Sequence, residues 1–223
     1  MTPPARTDHD ARRTEVSQAV WRVLAARGFG GLTLRAVAAE MDATTGLLTH
    51  YFPSKRALLR HALEVLDRRS ADRPRPAAER AGDASGTVML RATLLDILPL
   101  DDESAASNRI WVASWDVALA DPDLAQEHAE RYRRARERMA GHIADAKELG
   151  ELPLGPRTED TAAAAQSFVL GLVVQALFAP GEFPAERQIA LVDEYLARLG
   201  TGGAQGERAV GEADPVGGPS TVG

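Results

Sequence analysis

Residues 44–59 read TTGLLTHYFPSKRALL. Two threonines lead the stretch and Gly46 follows them. Thr49, His50 and Tyr51 then stand in a row, Pro53 interrupts, and Ser54-Lys55 begin again. The segment is too short for a core helix and too polar for a buried strand. Leu48 and Phe52, four positions apart, give it one narrow apolar edge. Thr44 is a good helix cap and Pro53 a good stop. This pattern predicts a short helix over 45–52 that rests on a core by one edge and turns the remainder outward.

Working outward, residues 12–27 place Val16, Val20, Val23 and Leu24 on one helical face. Gly28 stands where a left-handed C-terminal turn is needed. Thr33 caps a second helix over 34–41, with Leu34, Val37, Ala38 and Met41 on one side. Asp42-Ala43 leaves only a tight turn before Thr44. After Pro53, Ser54 caps a fourth helix running to about residue 69, with Leu58, Leu59, Leu63 and Leu66 apolar. Three short helices with a tight turn between the second and third make a helix-turn-helix.

Residues 70–86, SADRPRPAAERAGDASG, are polar and rich in Pro, Ala and Gly, and read as a connection between domains. Five further helices follow by pattern: 87–98, 104–120, 123–149, 159–178 and 184–199. Asp121-Pro122 starts the third of these, Gly150 stops it, Thr158 with Glu159 and Asp160 opens the next, and Ala179-Pro180-Gly181 breaks that one. No segment alternates with period two, so no strand is expected. From residue 200 onward 8 of 24 residues are glycine, which predicts a disordered tail. The expectation is an all-α chain of about nine helices. A head occupies 8–69 with its fourth helix as connector, a helical body 85–199, and a tail 200–223.

Composition narrows the function. The 223 residues include no cysteine, which excludes a disulfide scaffold and thiol chemistry and fits a reducing cytoplasm. The most apolar run, 168–179, is interrupted by Gly171 and Gln175 and is too short to span a bilayer. The N-terminus lacks the apolar core of a signal peptide. Net charge is −6, yet residues 1–70 hold 11 Lys/Arg against 7 Asp/Glu, and the remainder 15 against 25. A basic head on an acidic body suits a head that meets a polyanion. The five histidines show no metal-ligand spacing. No phosphate-binding glycine loop, nucleophile elbow or dinucleotide fingerprint appears, so neither an enzyme nor a cofactor is expected. Arg131, Arg133, Arg134, Arg136 and Arg138 read as a solvated face paired with Glu127, Glu130 and Glu137.

In a helix-turn-helix the second helix of the pair enters the major groove. Thr45, Leu47, Thr49 and His50 lie on the face opposite Leu48 and Phe52, offering small donors and acceptors and one apolar group for a thymine methyl. Gly46 lets the backbone approach closely. Thr33, Thr44, Tyr51 and Lys55 are placed for phosphate. A three-helix structural module without DNA is the competing reading of the same pattern.

Residues 12–66 resemble the DNA-binding domain of TetR/AcrR-type transcriptional regulators, through the run GFGGLTLRAVAAEMDATTGLLTHYFPSKRALL, residues 28–59. Two positions depart from the family pattern. Asp42 stands where glycine is usual, though aspartate tolerates a left-handed turn. Thr49 stands where tyrosine is usual, which removes any contact that tyrosine makes. The segments WVASWDVALADPDLAQEHAERYRRARERM, GELPLGPRTED and SFVLGLVVQALFAP resemble the C-terminal domain of the BetI-type branch. The resemblance implies an all-helical regulatory domain that forms a homodimer through its last two helices and holds a small-molecule effector inside each subunit. Leu170, Gly171, Val174, Leu177, Leu191 and Tyr195 are the interface candidates. Met89, Leu94, Trp111, Trp115 and Phe168 are pocket candidates, with Asn108 or Asp116 as polar contacts. Trp111 and Trp115, one turn apart, suit either an aromatic wall for a flat or cationic ligand or plain core packing; Asp116 suits either a counter-charge or a solvated face. The leading expectation is a repressor released from a palindromic double-stranded operator by its effector. An activator, an effector-free regulator, and a small-molecule-binding protein that no longer reads DNA are the alternatives.

Overall fold

The computed structural model describes residues 5–72 and 75–201. Among them there are ten α-helices and no strand. The head comprises α1 (Ala5–Arg27), α2 (Leu34–Glu40), α3 (Thr45–Tyr51) and the connector α4 (Lys55–Asp72). The body comprises α5 (Pro76–Ala81), α6 (Gly86–Leu95), α7 (Asp102–Leu119), α8 (Pro122–Glu148), α9 (Thr158–Phe178) and α10 (Ala185–Thr201). The predicted tail, 200–223, falls almost wholly outside the described residues; α10 continues through Thr201.

Local chemistry explains most helix ends. Thr33 Oγ1 accepts from Ala36 N at 3.0 Å, and Ser54 Oγ accepts from Ala57 N at 3.1 Å. Asp121 accepts from Asp123 N and Leu124 N, with Pro122 in the first turn where no N–H is needed. Asp101 and Ser104 form a reciprocal capping box at the start of α7. Gly28 and Gly150 take the left-handed conformation at φ +62 and +75. Asp42 does the same at φ +50 and closes the turn between α2 and α3.

Two features depart from the expectation. α1 begins at Ala5 rather than 12, in a polar stretch that no apolar periodicity marks. The connection expected over 70–86 contains α5. Both oxygens of Asp96 accept from the first backbone donors of α5, Ala77 N at 3.0 Å and Ala78 N at 3.1 Å. That cap comes from α6's far end, so nothing local in the sequence announces it.

Leu48 and Phe52 are buried under α3 and join the head core with Val16, Val20, Leu24, Val37, Leu58 and Leu63. This core does not stop at the head. Ile110, Ala118 and Leu124 belong to it, and Trp111 packs against it. A second core fills the body around Leu90, Leu94, Met139, Ile143, Val169 and Val173. α9 is apolar and long enough, by length and composition, to cross a membrane. It packs instead against α8, α7 and α10 and buries eight of its residues.

Ion pairs tie α4 to the corner between α7 and α8. Arg56 holds Asp121 at 2.7 Å and Asp123 at 2.6 Å, Arg60 holds Glu127 at 3.1 Å, and Asp67 holds Arg131 at 2.8 Å. The partners advance together along both helices, so α4 and the first half of α8 run side by side in the same direction.

Candidate functional site

α3 stands on Leu48, which is fully buried, and leaves Thr45, Gly46, Thr49 and His50 exposed. Leu47 and Tyr51 are half-buried, Tyr51 against the head core. Thr44 Oγ1 accepts from Leu47 N at 3.4 Å, so its hydroxyl proton remains to donate. Thr49 Oγ1 donates to Gly46 O at 2.7 Å, which leaves Thr49 an acceptor toward anything outside. A Cβ on Gly46 would meet only Thr44 Oγ1, at 3.9 Å, so open space lies over this backbone. Lys55 is exposed at the start of α4 and pairs with no carboxylate among the described residues. Thr33 is exposed at the start of α2. Arg35, one position into that helix and equally exposed, adds a cation that pattern reading passed over. Arg56 and Arg60, by contrast, are neutralised by the body. Arg35 and Lys55 thus place unpaired positive charge beside α2 and α3.

A cavity of about 240 Å³ lies between α4, α6, α7, α8 and α9. Of the residues expected there, Asn108, Trp111 and Trp115 line it. Asn108 donates from Nδ2 to Ile97 O at 3.0 Å. Trp111 donates from Nε1 to Tyr132 Oη at 3.2 Å and stacks on His128, with ring centroids 5.0 Å apart. Trp115 Nε1 is buried with no well-formed hydrogen bond, although it approaches the same Tyr132 hydroxyl.

The other expected pocket residues lie elsewhere. Leu94 is enclosed in the body core, and Met89 packs against that core. Asp116 is exposed on α7, which favours its solvated reading. Phe168 stacks on Tyr195 of α10 at 4.4 Å. Gln166, Val169, Leu170 and Val173 form the stripe of α9 that faces the cavity, and Phe168 is a hundred-degree step away from Val169. Leu170, expected at the dimer interface, belongs to the cavity for the same reason. On the outer surface of α9 Gly171 is exposed and Val174 half-buried, whereas Leu177, Leu191 and Tyr195, also half-buried, pack against the body core, with the Tyr195 Oη enclosed. Phe178, 83% exposed at the end of α9, joins that surface although the sequence reading did not single it out.

Pattern reading missed the charged lining. Asp67, Arg75, Asp96, Arg131 and Arg138 all face the cavity. The arginine run is only partly a solvated face. Arg133 and Arg134 pair with Glu130, and Arg133 also with Glu137. Arg131, with a side chain only 10% exposed, turns inward to Asp67 and to His128 Nδ1 at 3.2 Å. Arg136 donates to Gln166 Oε1 at 2.9 Å. The usable signal is helical spacing: Arg131, Ala135 and Arg138, and beside them Tyr132 and Met139, share one stripe of α8.

Buried histidine completes the wall behind Trp111. Ser114 Oγ donates to Trp111 O at 2.6 Å and lies 3.0 Å from His128 Nε2, while Arg131 donates to Nδ1. These partners fix a neutral ring protonated on Nε2. Burial, reinforced by the Arg131 charge, pushes the His128 pKa down to about 4.

Comparison with known proteins follows this two-part geometry. The profile of the tetR family of bacterial regulatory proteins matches residues 17–62, and that of the BetI-type transcriptional repressor C-terminal domain matches residues 87–201. The transcriptional regulator PksA of Bacillus subtilis is 31% identical over 110 residues, 49% of this chain and 53% of that protein. The regulator BetI of Burkholderia thailandensis is 28% identical over 194 residues, 85% of this chain and 94% of its own. Among solved structures, a transcriptional regulator from Rhodococcus sp. Rha1 superposes with a TM-score of 0.71 at 24% identity, covering 85% of this chain and 96% of that one. A regulator from Saccharomonospora viridis, in complex with choline, gives 0.74 at 19% identity, covering 84% and 96%. At these identities the structures speak for the fold alone.

Proposed function

Because the chain belongs to the TetR family of bacterial regulatory proteins, with a BetI-type C-terminal domain and hence a role in transcriptional regulation, we propose that it is a ligand-responsive repressor. It acts in the cytoplasm as a homodimer on a palindromic operator. Thr45, Leu47, Thr49 and His50 meet base edges, Gly46 gives the close approach, and Thr33, Thr44, Tyr51 and Lys55 hold phosphate. The dimer sets two α3 helices about 34–36 Å apart, on successive major-groove faces.

The observation that carries this reading is the reach of α4. Lys55, at its first position, adjoins α3; Asp67, twelve positions on, lines the cavity. One rigid helix thus spans the roughly 18 Å between the two sites. Of the ion pairs that tie it to the body, that between Asp67 and Arg131 lies in the cavity wall. A ligand that disturbs this pair moves α4 and, with it, the recognition helix. Coupling of this kind is reciprocal, so operator weakens effector binding by the same factor.

The test uses fluorescence anisotropy with the DNA upstream of the protein's own gene, and a reporter driven by that DNA in cells. Wild type is expected to bind with a steep salt dependence and to silence the reporter. Lys55→Ala should weaken all sequences alike and lower the salt slope by about one. Unchanged salt dependence would remove Lys55 from the interface, and a reporter that loses expression when the protein is deleted would make it an activator.

A further inference from the structure

Within the cavity the charged acceptors are already engaged, while two of the three lining arginines are not. Asp67 is held by Arg131 at 2.8 Å, with Arg134 at 3.9 Å. Asp96 gives both oxygens to the start of α5. Gln166 Oε1 accepts from Arg136. The side chains of Arg75 and Arg138 make no hydrogen bond or ion pair among the described residues, yet both line the cavity. Arg138 is close enough to Arg75 and Arg134 that, after partial burial, their charges lower its pKa. Two like charges facing a shared space with no direct ion-pair partner are unfavourable for the empty protein, and the Asp96 carboxylate in the same lining offsets them only at longer range. Trp115 Nε1 supplies a third donor, buried and only loosely met by the Tyr132 hydroxyl.

We propose that this cavity binds a small planar organic carboxylate, its charged end held by Arg75 and Arg138 and its ring set between Trp115 and the apolar wall of Ile97, Val112 and Val173. The proposal rests on reading the body as an effector-binding domain. Guanidinium groups suit carboxylates because two parallel N–H donors match two oxygens. At about 240 Å³ the space lies just below the range of roughly 300–1,000 Å³ usual for ligand pockets, which restricts the occupant to about one ring and a short substituent. A quaternary ammonium fits this lining poorly. It would meet two guanidinium groups without ion-pair partners, Asp67 is already neutralised by Arg131, Asp96 alone keeps an uncompensated charge, and one face of Trp111 is already covered by His128. An anion in this position also competes with Asp67 for Arg131, and so reaches α4.

The experiment compares benzoate, benzamide and benzamidinium, which share ring and shape and differ in charge. Each is titrated by calorimetry into the full-length protein without DNA. Benzoate is expected to bind at least about tenfold more tightly than the other two, and Arg75→Gln or Arg138→Gln to weaken it by about tenfold or more. Arg138→Lys, which keeps the charge but loses the two-donor fork, should recover only part of the affinity lost in Arg138→Gln. Both arginines are exposed and have no ion-pair partner, and removing one relieves like-charge repulsion, so the ligand-free thermal midpoints should equal or slightly exceed wild type, which separates lost binding from lost folding. Tighter binding of benzamidinium, no binding of benzoate, or undiminished binding by the double glutamine variant overturns the proposal. Operator retention is followed in parallel samples. If benzamidinium binds and releases the operator, the ligand class is wrong and the repressor reading stands; if no sample holds DNA, the repressor reading fails while the calorimetry still decides the anion.

Discussion

His128 shows how much one side chain's surroundings can fix. Its ordinary pKa is near 6.5, and burial beside Arg131 lowers it to about 4. Between those values the unfolded chain takes up a proton that the folded chain refuses, so stability rises with pH across that window. Urea midpoints should therefore fall as the pH drops from about 6.5 towards about 4 and lose nothing more to this group below that. His128→Gln should flatten the dependence without abolishing it, because burial also lowers the pKa of His61. An unchanged slope in the variant would mean that His128 is solvated. Nothing in the sequence around His128 announces this, because the ring's partners come from α7 and its own helix in three dimensions. Asp42 is the opposite case. Its left-handed backbone was legible because it follows a capped helix and precedes another with no room for a longer turn.

At the scale of single helices, the caps made the fold readable. Thr33, Thr44, Ser54 and Asp121 each bond a donor two or three residues ahead, and such bonds are encoded within a few letters. α5 escaped because its cap is Asp96, which reaches back eighteen and nineteen positions. Asp96→Ala should leave two backbone donors without a partner and cost about 1–2 kcal/mol. Amide exchange should report it: Ala77 and Ala78 lose protection while α6 keeps its own. Equal loss across α6 would show that Asp96 stabilises the body at large. The recognition surface was legible for a related reason, since a helix of seven residues with one buried edge has few choices of outward face. The cavity was not. Its charged lining is gathered from α4, α8, the residue before α5 and the residue after α6, and Arg131 and Arg138 are indistinguishable in sequence from Arg133 and Arg134, which do face solvent.

Across the whole molecule, the outer faces of α9 and α10 are where the proposed dimer contact would lie. Gly171 has open space over its Cα, and Val174, Leu177 and Phe178 flank it. Two copies packed here make a four-helix bundle, in which a two-fold axis brings the same patch against itself. Gly171→Arg or Val174→Arg should sediment as monomers with unchanged helical content. A dimer that persists in both would place the contact on another surface.

The head's apolar core closes only with Ile110, Trp111, Ala118 and Leu124, which the body supplies. This bears on anyone who would treat such a regulator as interchangeable parts. A chimera cut at the polar stretch after α4, with its own head grafted to a foreign body, would lose those side chains and the acidic partners of Arg56 and Arg60. The graft junction that respects the physics therefore follows a surface, not a point in the chain. It would need to transplant the inner face of α7 and the first turns of α8 along with residues 5–72, or redesign the recipient's equivalent face to match.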